Sequence, residues 1–373
     1  MPQNDFLPFS TGAGANVVTQ SNYANDPVTA AGFSSGIAPS AKFNKVWRQS
    51  SFVSSALAQL VCDQLGIDIL DDGNMAEFKA NLRAALLGLN PRQVAPIGGT
   101  QFWVNVATGS DANTGISPSV PWKTLQQAAN YVAENVDANL QKIIVNIADG
   151  TYPGFTLNSP VLGLSDPSNL VFLGNTASPQ NVVIQSPAGG GVTACVSAQN
   201  GAMFLIQGVR FSSTGTGIWI NNFGRVRYGF CDFAACAGDH VYCEFHSHAR
   251  MLNNCTVSGS ANNHIHLRAA ATFITAGPLT LNMIGTPHWG SQFLGAGGNS
   301  YVDFNDQDSP LAGSGSLVFS GPSTGRRFWV HGGAVVHTNV GDAATPNYLP
   351  GDAPGLIDTA TYGVYNSGGG GEG

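Results

Sequence analysis

The chain has 373 residues, enough for two or three domains, with 47 glycines, 43% hydrophobic residues and only 10% charged residues. Ordinary globular domains carry about a quarter charged residues, so the deficit points to flat polar faces of Asn, Ser and Thr, or to surface hidden between subunits. A net charge of -7 without clustered Lys and Arg excludes a nucleic-acid groove, and no apolar run reaches the roughly 18 residues of a membrane span.

Residues 1–40 are rich in Asn, Ala, Gly and Ser without a sustained period, which predicts an extended arm. From Phe43 the pattern changes. Phe43, Val46, Trp47, Phe52, Val53, Ala56, Leu57, Leu60, Val61 and Leu65 keep helical spacing up to Gly66, and a second helix starts at Asn74, where Glu77 stands at the capping-box offset. Residues 41–90 thus read as a helical hairpin, and Pro91 with Pro96-Ile97-Gly98-Gly99 marks a linker over 91–101. Phe102-Trp103-Val104-Asn105-Val106 has strand character. A helix with Trp122, Leu125, Ala128, Ala129, Val132 and Val136 on one face follows, and Ile143-Ile144-Val145-Asn146-Ile147 returns to strand. We expect this helix to close one end of whatever the strands build.

From about residue 200 a weak repeat appears. Val209-Arg210-Phe211, Cys231-Asp232-Phe233 and Cys255-Thr256-Val257 align with steps of 22 and 24 residues. Ile218-Trp219-Ile220, His240-Val241-Tyr242 and His264-Ile265-His266 align at 22 and 24, and Val226, Met251 and Phe273 at 25 and 22. Three short strands in each coil of about two dozen residues predict a parallel β-helix over 102–337, mainly β and preceded by the small helical module. Alternation within a strand places Phe211, Phe233 and Val257 inward, Cys231 over Cys255, and Arg210, Asp232 and Thr256 outward. The six cysteines, at 62, 195, 231, 236, 243 and 255, lack the spacing of a disulfide scaffold or a zinc site and are expected to be reduced and packed. The start Met-Pro-Gln-Asn-Asp lacks the basic and apolar regions of a signal peptide, so synthesis in a cytoplasm is expected.

Two stretches resemble parts of a known assembly. Phe9-Ser10-Thr11-Gly12-Ala13-Gly14-Ala15-Asn16-Val17, Gly32-Phe33-Ser34-Ser35-Gly36-Ile37-Ala38 and Asn44-Lys45-Val46-Trp47-Arg48-Gln49-Ser50 resemble the N-terminal virion-binding region of phage and prophage tail proteins. The segment 109–129, with Asp111, Asn113, Gly115, Pro121, Thr124, Leu125 and Ala128, is similar to the opening of the pectate-lyase-like β-helix of tailspikes. Tyr348-Leu349-Pro350-Gly351 and Thr361-Tyr362-Gly363-Val364-Tyr365 are similar to the closing strands of such fibres, here within a segment, 338–373, that ends in a Gly-rich tail. The resemblance implies a right-handed, homotrimeric β-helix in a virion, docked through residues 1–90 to tail, baseplate or neck proteins and directed at a host surface polysaccharide. Unlike large depolymerising spikes, only a few coils fit between 140 and 335.

A polysaccharide-cleaving spike needs paired carboxyls, or a base beside a cation. Asp232, Asp239 and Glu244 are the candidates, with Asp303, Asp306 and Asp308 two coils on, and the plainer reading of all six is a turn or a solvated face. Arg225, Arg227 and Arg250 are candidates for holding a sugar acid. Trp219, Tyr242, Trp289, Tyr228, His288 and Trp329 are candidates for stacking on sugar rings, against core packing or a subunit interface. His240, His264 and His266, with His246 and His248 nearby, offer a weak metal alternative at a trimer axis. The Asp111-x-Asn113-x-Gly115 loop lacks the later Glu of a calcium loop and reads as a turn. No cofactor is expected. The leading expectation is therefore an attachment fibre without enzymatic activity. A depolymerase and an adaptor or decorating fibre on the head or neck are the alternatives.

Overall fold

The apolar stripe beginning at Phe43 forms the helix Ser40–Leu65, which ends where Gly66 takes a positive φ of 68° and its N–H bonds back to Cys62. Met75–Leu89 forms the second helix. Asn74 caps it: the Glu77 N–H donates to Asn74 Oδ1 at 3.2 Å, and Glu77 Oε2 accepts from the Asn74 side-chain amide at 2.8 Å, while the Asn74 backbone N–H donates to Asp72 Oδ1 at 2.8 Å. The core between them is small, with Ala58, Val61, Cys62, Ile69 and Ala85 buried and Phe6, Phe78 and Leu82 packed around them. The first 40 residues differ from the extended arm expected. They contain two short helices, Gln20–Ala24 and Val28–Ala31, and Asp5 and Gln3 exchange backbone hydrogen bonds with Ile69. Thr19 and the Asp26 side chain cap those turns, a local signal that hydrophobic periodicity does not carry.

The computed structural model describes residues 2–37, 39–89, 92–186, 193–275, 277–304, 316–338, 340 and 345–366. It divides into Met1–Arg92, the helical unit above, and Gln93–Gly373. The second unit is a parallel β-helix. Its strands form sheets of ten, seven and eight members, and each strand pairs in parallel with those of the coils before and after it. The ten-stranded sheet starts at Thr100–Val104, and Gln93–Val94 pairs with Val136–Asp137, so the stretch from Gln93 is already tied to the solenoid. Beyond residue 337, Leu356–Ile357 adds to the eight-stranded sheet and Val364–Asn366 to the ten-stranded one.

Strand register follows the repeat in part. Phe211 pairs with Phe233, Phe233 with Val257 and Val257 with Met283, so the coil grows from 22 to 24 to 26 residues. Ile218, however, pairs with Val241, not His240, because a bulge sets Ser213 against Cys236 and inserts one residue before the corner. Likewise Val226 pairs with Ala249, and Met251 faces Tyr228. Inward side chains stack coil on coil: Phe211 and Phe233 lie 5.3 Å apart between ring centres, and Phe155, Phe172 and Phe204 form a second cluster.

Helix Leu125–Asn135 closes the first end, burying Leu125, Ala128, Ala129 and Val132. The loop before it is structural. Asp111 accepts from the Lys123 and Thr124 N–H groups and the Thr124 hydroxyl, Asn113 ties Pro121 and Trp122, and a Cβ on Gly115 (φ +69°) would overlap the Trp122 ring. All six cysteines are unpaired and buried. Cys255 lies over Cys231, and burial pushes its thiol pKa well above the ordinary value. Cys255→Asp places an uncompensated charge in this stack. We expect it to cost about 3 to 5 kcal/mol, read as a fall in denaturant midpoint. An unchanged midpoint contradicts the inward ladder.

Candidate functional site

One outward-pointing position of the eight-stranded sheet recurs from coil to coil. Parallel register aligns Thr156, Ser197, Trp219, Tyr242, His266, Gly295 and Trp329 on successive rungs, about 4.8 Å apart. Tyr242 and His266 stack with centres 4.9 Å apart and planes at 30°, and Trp329, 37% exposed, stacks on His331 at 4.3 Å. Gly295 breaks the row. A Cβ there would sit 2.7 Å from Gln292 Nε2 and 3.3 Å from His266 Cδ2, so a side chain would displace the Gln292 amide and fill the notch that glycine leaves between the His266 and Trp329 rungs.

Acidic side chains hold the row in place. Glu244 accepts from Trp219 Nε1 at 3.1 Å through Oε1 and from the Tyr242 hydroxyl at 2.7 Å through Oε2. Burial, and then Glu244, push the Tyr242 pKa up to about 12, which keeps its proton on that bond. Arg268 Nη1 reaches the same hydroxyl at 3.4 Å. Three residues before Tyr242, His266, Gly295 and Trp329 runs a second, polar column of Asp239, Asn263, Gln292 and Arg326, the first three of them buried. Asp239 Oδ1 accepts from the Asn263 backbone N–H at 3.0 Å and its Nδ2 at 2.5 Å, while Oδ2 lies 2.8 Å from His266 Nδ1. Asp239, His266, Tyr242, Glu244 and Trp219 therefore form one connected surface network.

The other residues expected from sequence lie elsewhere. Asp232 is not solvated. It lies on the seven-stranded sheet, 3% exposed, with Oδ2 held at 2.6 Å by Arg210 Nε and Nη2. Arg225, Arg227 and Arg250 occupy the ten-stranded sheet, away from Asp239 and Glu244, and Arg227 is paired with Asp166 at 2.6 Å. Trp289, 1% exposed, and Tyr228, fully buried, are core residues that cannot stack on a ligand, and His288 bonds Thr324. Asp303 pairs with Ile274 and His337 on the ten-stranded sheet, while Asp306 and Asp308 lie outside the described residues.

The metal alternative is also corrected. His240 and His264 are buried among Phe233, Trp289 and Phe293, whereas His266 faces outward, so the three do not converge. The register shift between Ala261 and Asn263 breaks the alternation of that strand where His264 enters the core. Among the described residues no group of three or more His, Cys, Asp or Glu side chains is placed to hold a metal ion. Within the pair, Nδ1 of His240 lies 3.0 Å from Nδ1 of His264, and its Nε2 lies 3.0 Å from the Ala234 carbonyl. The carbonyl can only accept. Its Nε2 therefore carries a proton; since burial keeps the ring neutral at pH 7, Nδ1 of His240 is bare and His264 Nδ1–H donates to it.

No protein-family model matches the chain, and no curated protein matches it. Among solved structures, pectin methylesterase from carrot is similar at 14% identity, covering 72% of this chain and 87% of that one, with a TM-score of 0.39. The GH136 lacto-N-biosidase from Eubacterium ramulus is similar at 10% identity, covering 85% of this chain and 73% of that one, with a TM-score of 0.24. The β-helix assignment stands on the strand pairing itself.

The histidine pair gives the solenoid a pH limit. Burial holds His240 down to about 4 and His264 well below its usual range, with His240 adding to the latter shift. An unfolded histidine protonates near 6.5, so from that pH downward the unfolded chain binds the protons first and stability falls. For His240 the loss is complete once the pH passes below about 4, where the folded form also protonates. The expected loss from His240 is about 3 kcal/mol across this window. Urea unfolding at pH 7, 5.5 and 4 measures it, and His240→Phe should flatten the slope. Equal slopes in the two proteins contradict the assignment.

Proposed function

We propose that this chain is a tail appendage of a phage or prophage particle that adheres to a bacterial surface glycan. Residues 1–90 dock to the virion, and a homotrimer of right-handed solenoids presents the eight-stranded sheet to the cell. The observation that carries the reading is the outward row of Trp219, Tyr242, His266 and Trp329, in which Glu244 holds the edges of the first two rings and Arg268 reaches the Tyr242 hydroxyl. Aromatic faces with a polar rim suit pyranose rings, which have apolar faces and hydroxyl edges. Exposure of Trp47, Phe52, Val53 and Leu57 on the long helix supports a docking role for the first unit, because monomeric proteins seldom leave that much apolar surface open.

The second reading is a polysaccharide-cleaving spike, favoured by the placement of Asp239 and Glu244 on one connected surface. Adhesion fits better. Each of the four carboxylate oxygens already accepts from a protein donor, whereas a general acid or base needs an oxygen directed at the glycosidic bond. Removing one stacking ring costs about 0.5 to 1.5 kcal/mol. Trp219→Ala should accordingly weaken binding of purified trimer to host capsule or lipopolysaccharide about three- to tenfold, with the melting temperature held, and prolonged incubation should release no new reducing ends or unsaturated products. Unchanged affinity in Trp219→Ala would sink the adhesion surface, and product release would favour the depolymerase.

A further inference from the structure

The first strand of the eight-stranded sheet, Phe155–Leu157, has helix Leu125–Asn135 where a preceding coil would stand. Between them runs a polar groove of about 520 Å³, walled by Gln126, Asn130, Glu134, Thr156, Ser159 and Gln199. We propose that this groove is a binding site for one or two rings of a neutral sugar, at the end of the aromatic row. The inference rests on the reading that this outer face takes glycan, and it adds a second point of attachment.

Three observations support it. The first is chemistry. The polar groups of the wall are amides, hydroxyls and one carboxylate, Glu134, set beside the small apolar patch of Ala129, Ala133 and Leu157, and no Lys, Arg or His lines it. Amides and hydroxyls each donate and accept, as sugar hydroxyls do, whereas a lone carboxylate repels uronic acids, sialic acids and phosphates. The second is rigidity. The Gln126 amide takes the place of the missing strand: its Oε1 accepts from the Thr156 N–H at 2.9 Å and its Nε2 donates to the Thr156 carbonyl at 2.9 Å and to Asn130 Oδ1 at 2.7 Å. Gln199 Nε2 donates to Ser197 Oγ at 2.9 Å. These bonds restrain the Asn130 and Gln199 amides, which both line the groove and keep Nδ2 of the first as a donor and Oε1 of the second as an acceptor, so ordering them on binding costs less entropy.

Continuity with the aromatic row is the third. Thr156 pairs with Ser197 and Ser197 with Trp219, so the groove wall and the aromatic plates are rungs of one ladder. A rung of about 4.8 Å is close to the length of one pyranose residue. A chain that leaves the groove along the solenoid axis reaches Trp219 two rungs on; the rung between, Ser197, is buried and bonded to Gln199, so it adds no contact of its own. The volume also lies within the roughly 300 to 1,000 Å³ of small-molecule sites.

Calorimetric titration of the full chain with tetrasaccharides of glucose, mannose, galactose and N-acetylglucosamine, and with tetragalacturonate, tests this site. At least one neutral tetrasaccharide should bind. The pair Asn130→Ala with Gln199→Ala should weaken that binding about tenfold, and Ser159→Trp, which fills the groove from an exposed position, should abolish it with the melting temperature unchanged. If Trp219→Ala weakens binding while both groove variants bind as the parent does, the groove is overturned and the aromatic face stands. If neither set of variants matters, both fall. Binding of no neutral sugar, or tighter binding of tetragalacturonate than of any neutral sugar, also overturns the groove.

Discussion

Burial of inward side chains by the coil above and the coil below is the constraint on which everything else depends. No single coil has enough apolar surface to exclude water. Phe233 is buried only because Phe211 precedes it and Val257 follows it at the same rung. A fully buried Phe contributes about 1.5 to 3 kcal/mol, and the same register then fixes the outward positions without further cost. Helix Leu125–Asn135 closes the first coil for the same reason: Phe102, Leu125 and Ala129 would otherwise face water.

The outward aromatic row is a by-product of that register. Once Ile218, Val241 and Ile265 stack inward, Trp219, Tyr242 and His266 stack outward with no choice of spacing. What the sequence can vary is the chemistry at each rung. Glycine at 295 opens a notch, Glu244 ties two aromatic edges together, and Asp239 fixes the His266 ring. The three arginines of the ten-stranded sheet follow the same rule on another side of the solenoid, where Asp166 and Ser168 engage Arg227.

Much of this was legible before any coordinates. The coil length, the inward parity of Phe211, Phe233 and Val257, the two long helices and the asparagine cap are all local or periodic signals. The misses have physical causes. The bulge at Ala234 and Ala235 is made of small residues with no turn signature, so the one-residue slip that sets Val241 under Ile218 was invisible. Parity separates inside from outside but not one sheet from another, which is why Asp232 and the arginines were grouped with Glu244. His264 and Trp289 lie beside register shifts, where alternation fails, so the sequence does not decide between a core position and the stacking or metal role each is a candidate for; both are core. The groove under the capping helix escaped notice because Gln126, Asn130 and Gln199 carry no motif and meet only through the fold.

Hydroxyl-radical footprinting of the protein, free and bound to purified host polysaccharide, tests the central claim that one outer face of the ladder meets the glycan. In the free protein Trp219, Tyr242 and Trp329 should oxidise along with Tyr301 on the ten-stranded sheet and Trp47 on the long helix. With polysaccharide bound, the first three should be protected while Tyr301 and Trp47 react as before. Protection of Tyr301 with Trp219, Tyr242 and Trp329 unprotected would contradict the account.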